Sequence, residues 1–224
     1  MPDTITMSDE RWQQTGAYIR EVFCATDHGH AGVMARAIAA GLPAIDAGPD
    51  TGKFLQMLVM LTGGRLVIEV GTLAGYSAIW MARGLGQGGR VITVEASAKH
   101  AEIARAEIDA AGVGNRVVIR QGKGGEVLPA LRKELGAGKA DLIFLDAERS
   151  EYLTVLDTVH ALLRPGGVLA IDNALSAQRW VSDPYGPGQA IDTMDKVDRA
   201  IAADKRFIST VVPVGNGVLV GVKI

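Results

Sequence analysis

Leu66-Val67-Ile68-Glu69-Val70-Gly71-Thr72-Leu73-Ala74-Gly75-Tyr76-Ser77 decides how this chain folds. A short aliphatic run that ends on glycine and passes into a helical pattern reads as a strand, a tight turn and the start of a helix. In open α/β sheets such a turn lies beyond the carboxyl end of the strand, where ligands bind and where glycine lets the backbone approach them. A dinucleotide fingerprint, GxGxxG, needs its second glycine two residues after the first. Leu73 occupies that position and Gly75 comes two residues later, which disfavours a pyrophosphate. Glu69 adds to this, because a carboxylate within an apolar strand is expensive to bury unpaired. It is expected either to meet the ammonium of a cationic cofactor or, structurally, to pair with Arg65 or a backbone amide.

Working outward from this turn, apolar strands alternate with helices, the signature of βα units and a parallel sheet with right-handed crossovers. Strands are expected at 66–70, 91–95, 117–120, 141–145 and 167–171, with helices at 76–85, 98–111, 126–135 and 152–163 between them. Residues 174–188 lack periodicity and read as a long loop, followed by a helix at 191–203. Strands at 207–212 and 218–222 flank Gly215-Asn216-Gly217, whose Asn-Gly step favours a reversal and an antiparallel pair at the sheet edge. Ahead of the sheet, helices at 8–26, 31–40 and 51–61 form a helical N-terminal extension over residues 1–62. The α/β core occupies 63–224, and together the two make a single domain.

Two further strand ends carry acids. Glu95 closes the second strand 24 residues after Gly71, where a carboxylate can take both hydroxyls of a ribose or stand as a solvated loop residue. A ribose without a pyrophosphate, beside a positive centre, suggests S-adenosylmethionine. The fourth strand ends on Asp146 and the fifth on Asp172-Asn173. If these strands are neighbours, three oxygen-bearing side chains converge, a set suited to a hard cation such as Mg²⁺ rather than zinc. An ordinary turn is the competing reading.

With 23 basic and 25 acidic residues and a net charge of -2, the chain has no concentrated positive face for nucleic acid. Its apolar stretches stop short of a membrane span. One cysteine, Cys24, suits a reducing compartment, so a cytoplasmic location is expected. The His residues at 28 and 30 have no identifiable chemical partner, while Trp180 and Tyr185 could form an aromatic slot over a planar substrate.

Ile68 to Ser77, then Phe144-Leu145-Asp146-Ala147-Glu148-Arg149-Ser150-Glu151-Tyr152, then Ile171-Asp172-Asn173 resemble the cation-dependent small-molecule O-methyltransferases, which include catechol and caffeoyl-coenzyme A O-methyltransferases. The likeness runs from about Pro49 to residue 224 and includes the closing Val212-Pro213-Val214-Gly215-Asn216-Gly217-Val218. It implies a doubly wound, Rossmann-like α/β fold with a seven-stranded mixed sheet whose last strand is antiparallel. It also implies that Ala47, Glu69, Gly71, Thr72, Gly75, Tyr76, Ser77, Glu95, Ala96, Gly122, Lys123, Gly124 and Asp146 surround S-adenosylmethionine. Asp146, Asp172 and Asn173 would hold Mg²⁺, or another divalent cation such as Mn²⁺ or Ca²⁺. The substrate would be a small aromatic diol and the assembly a homodimer, with Trp12 and Tyr18 facing the second subunit.

Arg149 and Asp146 are the catalytic candidates. The family usually has lysine where Arg149 stands, and an arginine, with a pKa above ~12, cannot act as the base. It could stabilise a phenolate, or merely pair with Glu148 or Glu151. Lys123 and Ser176 are further departures, at the adenine edge and the substrate wall. Two rival readings remain open in the sequence, an NAD-dependent oxidoreductase and a non-catalytic binding protein of the same fold.

Overall fold

The computed structural model describes residues 9–24, 32–45, 47–175 and 189–224. Three helices, α1 (Asp9–Cys24), α2 (Val33–Ala39) and α3 (Gly48–Leu61), precede the sheet. The core then alternates β1 (Leu66–Val70), α4 (Tyr76–Gly84), β2 (Arg90–Glu95), α5 (Ala98–Ala110), β3 (Val117–Gln121), α6 (Gly124–Leu135), β4 (Ala140–Leu145), α7 (Tyr152–Leu162) and β5 (Leu163–Ile171). After α8 (Gln189–Ala203), β6 (Phe207–Val212) and β7 (Val218–Lys223) close the chain. Helix α3 starts three residues before its expected first residue because Pro49 stands in its first turn, where a missing N–H leaves nothing unpaired.

The seven strands form one sheet in the order β3-β2-β1-β4-β5-β7-β6. β1 to β5 are parallel, and β7 runs antiparallel to both β5 and β6. The mixed sheet and the antiparallel C-terminal pair are those expected. Between β6 and β7 the turn runs from Val214 to Gly217, with the Gly217 amide donating to the Val214 carbonyl at 2.9 Å. Here Gly215 and Gly217 take the positive φ, so Asn216 stands at the turn with ordinary backbone geometry and its side chain is available for other work. β5 begins at Leu163 rather than Gly167, because a register shift lets Leu163 pair with Ala140 ahead of Pro165-Gly166-Gly167.

Both faces of the central strands are covered, which is why β1 and β4 are buried at every residue. On one face Val67, Val91, Leu142 and Phe144 pack against α3, α4 and α5 through Leu55, Val59, Ile79, Met81 and Ile108. Ile68, Val70, Ile143, Leu145 and Leu169 pack on the other against Leu128 and Leu131 of α6, Val155 and Val159 of α7, and Met194 and Val197 of α8. Helix α2 is tied to α5 by a bidentate ion pair, Arg36 to Glu107, at 2.8 and 2.5 Å. Among the described residues no helix is long and apolar enough to cross a membrane.

Candidate active site

The chain leaves β1 toward β2 and β3 on one side, then crosses back to β4 and β5 on the other. The carboxyl ends of β1 and β4 therefore flank a topological switch point, where open α/β sheets bind ligands. A cavity of about 1010 Å³ opens there. The register explains how its walls meet: Val70 pairs with Leu145 and Leu145 with Ile171, so Gly71, Asp146 and Asp172 emerge side by side. Backbone hydrogen bonds extend the ladder one step further, from the Asp146 amide to the Val70 carbonyl at 2.9 Å and from the Asp172 amide to the Leu145 carbonyl at 3.1 Å. Gly71 has φ 105, and a Cβ there would overlap the Asp146 carbonyl oxygen. Only glycine lets these two strand ends approach so closely.

Glu95 braces the glycine turn. Its Oε2 accepts from the amides of Thr72 at 3.2 Å and Leu73 at 2.9 Å, and its Oε1 from the amide of Ser97 at 2.9 Å. His Nδ1 of residue 100 lies 3.5 Å from the same Oε1. These contacts hold the carboxylate rigid at the cavity wall, and a carboxylate has about four acceptor sites, so it can still take a ligand hydroxyl.

Glu69 lies beneath the turn, fully buried, on the α4 side of the sheet beside Thr93 of β2. Its Oε1 accepts from the Ser77 hydroxyl, not from Arg65 or a backbone amide, and Oε2 has no hydrogen-bond partner. Burial pushes this carboxyl up to about 8, against the opposing pull of the Ser77 and Thr93 hydroxyls. Near neutral pH it is therefore largely protonated, and a positive charge brought close to it would favour its ionised form.

On the other wall stand Asp146, Asp172 and Asn173. The Asn173 carboxamide nitrogen donates to Asp146 Oδ1 at 3.4 Å and to Asp172 Oδ2 at 3.2 Å, while buried Asp172 Oδ1 has no partner. Burial pushes both carboxyls up, the Asp146 charge raises Asp172 further, and the Arg149 charge opposes the rise at both. Two carboxylates and a carboxamide, crowded together and short of positive charge, fit a hard divalent cation. Among the described residues there is no cluster of three or more His, Cys, Asp and Glu side chains of metal-binding arrangement.

Arg149 follows in a 3₁₀ turn, Arg149–Glu151, half-buried in the cavity wall. Its neighbours are engaged elsewhere: Glu148 accepts from the amide and hydroxyl of Ser150, and Glu151 accepts from the Gly125 amide. The segment is pinned by Tyr152, whose hydroxyl accepts from the Ala147 amide at 2.7 Å and donates to the Ala147 carbonyl at 3.1 Å. Burial raises the Tyr152 phenol well above its ordinary value, so it remains a neutral strut.

Of the expected residues, the cavity brings together Ala47, Gly71, Thr72, Tyr76, Ser77, Glu95, Asp146, Arg149, Asp172 and Asn173. Six stand outside its wall. Glu69 lies below Ser77, Gly75 packs against Ile108, Ala96 is exposed beyond Glu95, and Gly122, Lys123 and Gly124 make the turn from β3 into α6. Ser176, Trp180, Tyr185, His28 and His30 lie outside the described residues. Sequence reasoning passed over Met34, which reaches the cavity from the N-terminal segment beside Ile45, and Asn216, which reaches it from the β6–β7 turn. For Asn216 a signal existed, since a polar amide in a turn whose positive φ is met by glycines has no backbone duty to perform.

Comparison with known proteins matches the chain to a family. The profile described as "O-methyltransferase" matches residues 31–224. The chain is 36% identical over 217 residues to a catechol O-methyltransferase of Niastella koreensis, covering 97% of this chain and 95% of that protein. It is 38% identical over 159 residues to a catechol O-methyltransferase of Mycobacterium tuberculosis, covering 71% and 70%. The crystal structure of an O-methyltransferase from Bacillus cereus in complex with S-adenosylhomocysteine superposes with a TM-score of 0.85 at 36% identity, over 96% of this chain and 99% of that one. An O-methyltransferase from Streptomyces achromogenes involved in tomaymycin synthesis, in complex with S-adenosylmethionine, gives 0.82 at 28% identity, over 97% and 99%.

Proposed function

The chain belongs to the O-methyltransferase family, and from that premise we propose that it moves the methyl group of S-adenosylmethionine to one oxygen of a small catechol-like, o-dihydroxy aromatic, with the aid of a divalent cation. Family membership displaces the oxidoreductase reading. The observation that carries the proposal is the meeting, in one cavity, of the Glu95-braced glycine turn and the Asp146, Asp172 and Asn173 set.

In this reading Gly71, Thr72, Tyr76 and Ser77 cradle the donor, Glu95 takes its ribose hydroxyls, and Glu69 answers its positive charge from below. Ala96 and the Gly122, Lys123 and Gly124 turn border the adenine, and Gly75 shapes the cradle without touching the ligand. Met34, Ile45 and Ala47 cover the reacting atoms and exclude water. Asp146, Asp172 and Asn173 would hold Mg²⁺ or a similar cation, whose positive charge would lower the pKa of an adjacent hydroxyl. Arg149 carries a permanent charge, so it steadies the negative charge developing on the acceptor oxygen rather than removing its proton. The reaction balances as one displacement: the sulfur–methyl bond breaks as the oxygen–methyl bond forms, and the phenolic proton passes to solvent. Much of the rate then comes from holding oxygen, methyl carbon and sulfur in line.

Exposed Tyr18, Phe23, Met60 and Leu61 on α1 and α3 support a homodimer through the N-terminal helices. The 1–62 segment thus serves as cover and interface, and residues 63–224 as the binding core. A lone cysteine and a net charge of -2 support a cytoplasmic enzyme that acts on small molecules rather than nucleic acid. Incubation with S-adenosylmethionine and a panel of o-diphenols, with Mg²⁺ or with excess chelator, tests the proposal by mass spectrometry. A gain of one methyl group that depends on the cation is expected; equal turnover in chelator rejects the cation, and no turnover of any o-diphenol rejects the substrate class.

A further inference from the structure

Asn216 occupies the tip of the β6–β7 turn, and its side chain touches the proposed cation set directly. Its carboxamide nitrogen donates to Asn173 Oδ1 at 3.1 Å. The turn is docked there by its backbone: the Ala174 amide donates to the Gly217 carbonyl at 2.9 Å and the Leu175 amide to the Asn216 carbonyl at 3.0 Å. Asn173 itself has φ 60, a left-handed conformation that aims its side chain across the ends of β4 and β5. The two carboxamides thus form a chain that starts at an exposed turn and ends on two carboxylates, half-buried Asp146 and buried Asp172.

The direction of this chain has a consequence. Asn173 now turns its NH₂ toward Asp146 and Asp172 and its oxygen toward Asn216. The reverse orientation would set a carboxamide oxygen against two acids, so without a cation the NH₂ stands in for the missing positive charge. A cation prefers the oxygen of Asn173, and presenting it requires the carboxamide to turn over. Its NH₂ then faces residue 216, which must accept where it previously donated. Asparagine can do either by turning its own amide.

We propose that Asn216 is a positioning residue for Asn173, a reversible partner whose carboxamide turns over with that of Asn173 and so sets which end of Asn173 faces the two carboxylates. The inference rests on the cation reading above, and it concerns the orientation of one ligand, not the identity of the set. An aspartate at 216 can only accept at neutral pH, so it holds the NH₂ of Asn173 outward and leaves the oxygen already facing the site. The backbone bonds from Ala174 and Leu175 do not depend on the side chain at 216, so the docked turn is retained.

The test is Mn²⁺ binding by electron paramagnetic resonance to four full-length proteins: the wild type, Asn216→Asp, Asn173→Ala and the double variant. An added negative charge would tighten binding wherever it sits, whereas an effect through Asn173 requires Asn173 to be present. Asn216→Asp is expected to tighten Mn²⁺ about five- to tenfold in the Asn173 background, the scale of a net hydrogen bond, and less than about twofold when residue 173 is alanine. An equal gain in both backgrounds, or none in the first, overturns the proposal while leaving the cation site standing. Failure of the wild type to bind Mn²⁺ overturns both. The carboxamide ¹⁵NH₂ resonances of Asn173 give a readout free of affinity: in metal-free Asn216→Asp they are expected at the Mg²⁺-loaded wild-type position. If they stay at the metal-free wild-type position, Asn216 does not orient Asn173.

Discussion

Replacing Glu69 by glutamine isolates what a buried acid beneath the glycine turn does to this protein. Its carboxyl is fully buried and is pushed from an ordinary 4.5 to about 8, chiefly by burial. Because the folded-state value is raised, its contribution to stability is fully present below 4.5, where folded and unfolded chains are both protonated. It is lost as pH rises toward 8, since only the unfolded chain ionises over that interval. At about 1.4 kcal/mol per pH unit, the wild type forfeits about 4 kcal/mol through this one residue between about pH 5 and pH 8.5. Glutamine keeps an acceptor for the Ser77 hydroxyl but sets an NH₂ where Oε2 has no partner, a penalty of about 1–3 kcal/mol at any pH. Urea unfolding followed by far-ultraviolet circular dichroism at the two pH values removes that constant penalty by difference. Glu69→Gln is expected to be the less stable protein near pH 5 and the more stable near pH 8.5. A gap between the two proteins that stays the same at both pH values, within about 1 kcal/mol, would refute the reasoning.

Other expected outcomes follow from the same walls. Gly71→Ala must accept φ 105 and an overlap with the Asp146 carbonyl oxygen; a loss of about 3 kcal/mol or more is expected in chemical denaturation, and a near-wild-type midpoint would mean that the strand ends can separate freely. Asp172→Ala should abolish cation-dependent methyl transfer while the chain stays folded by circular dichroism, and activity that survives would remove Asp172 from the cation set. Arg149→Lys should add an ionising base, raising the rate on the alkaline side and creating a new limb in the pH–rate profile. An unaltered profile would show that proton removal does not involve position 149.

Glu69 and Asp141 show how far the sequence could be read. Both are acids in apolar strands, and both are buried. Asp141, at the amino end of β4, accepts the amides of Arg65 and Leu66 at 2.9 and 2.8 Å and pairs with Arg164 at 2.7 Å, a purely structural knot. Glu69 lies at the opposite end with an orphaned oxygen. Nothing local distinguishes the two, because the partners that satisfy Asp141 are brought from a different strand by the sheet. Glu95 makes the same point, since its ties to the Thr72 and Leu73 amides arise only once β1 and β2 are side by side.

The sequence by itself determined the succession of strands and helices, the glycine turn, the acids at three strand ends and the antiparallel closing pair. These depend on periodicity, on the conformational freedom of glycine and on the short-range chemistry of turns, all of which operate within a few residues. The tertiary structure alone decided that β4 lies beside β1 and β5 beside β4, so that Asp146 and Asp172 meet Gly71 in one cavity. It also decided that Glu69 lies under that cavity, outside its wall, and that Asn216, 43 residues beyond Asn173, supplies the nearest partner for its carboxamide oxygen. Strand order and register are set by burial of both sheet faces against helices distant in sequence, a free energy summed over the whole core that no single motif records.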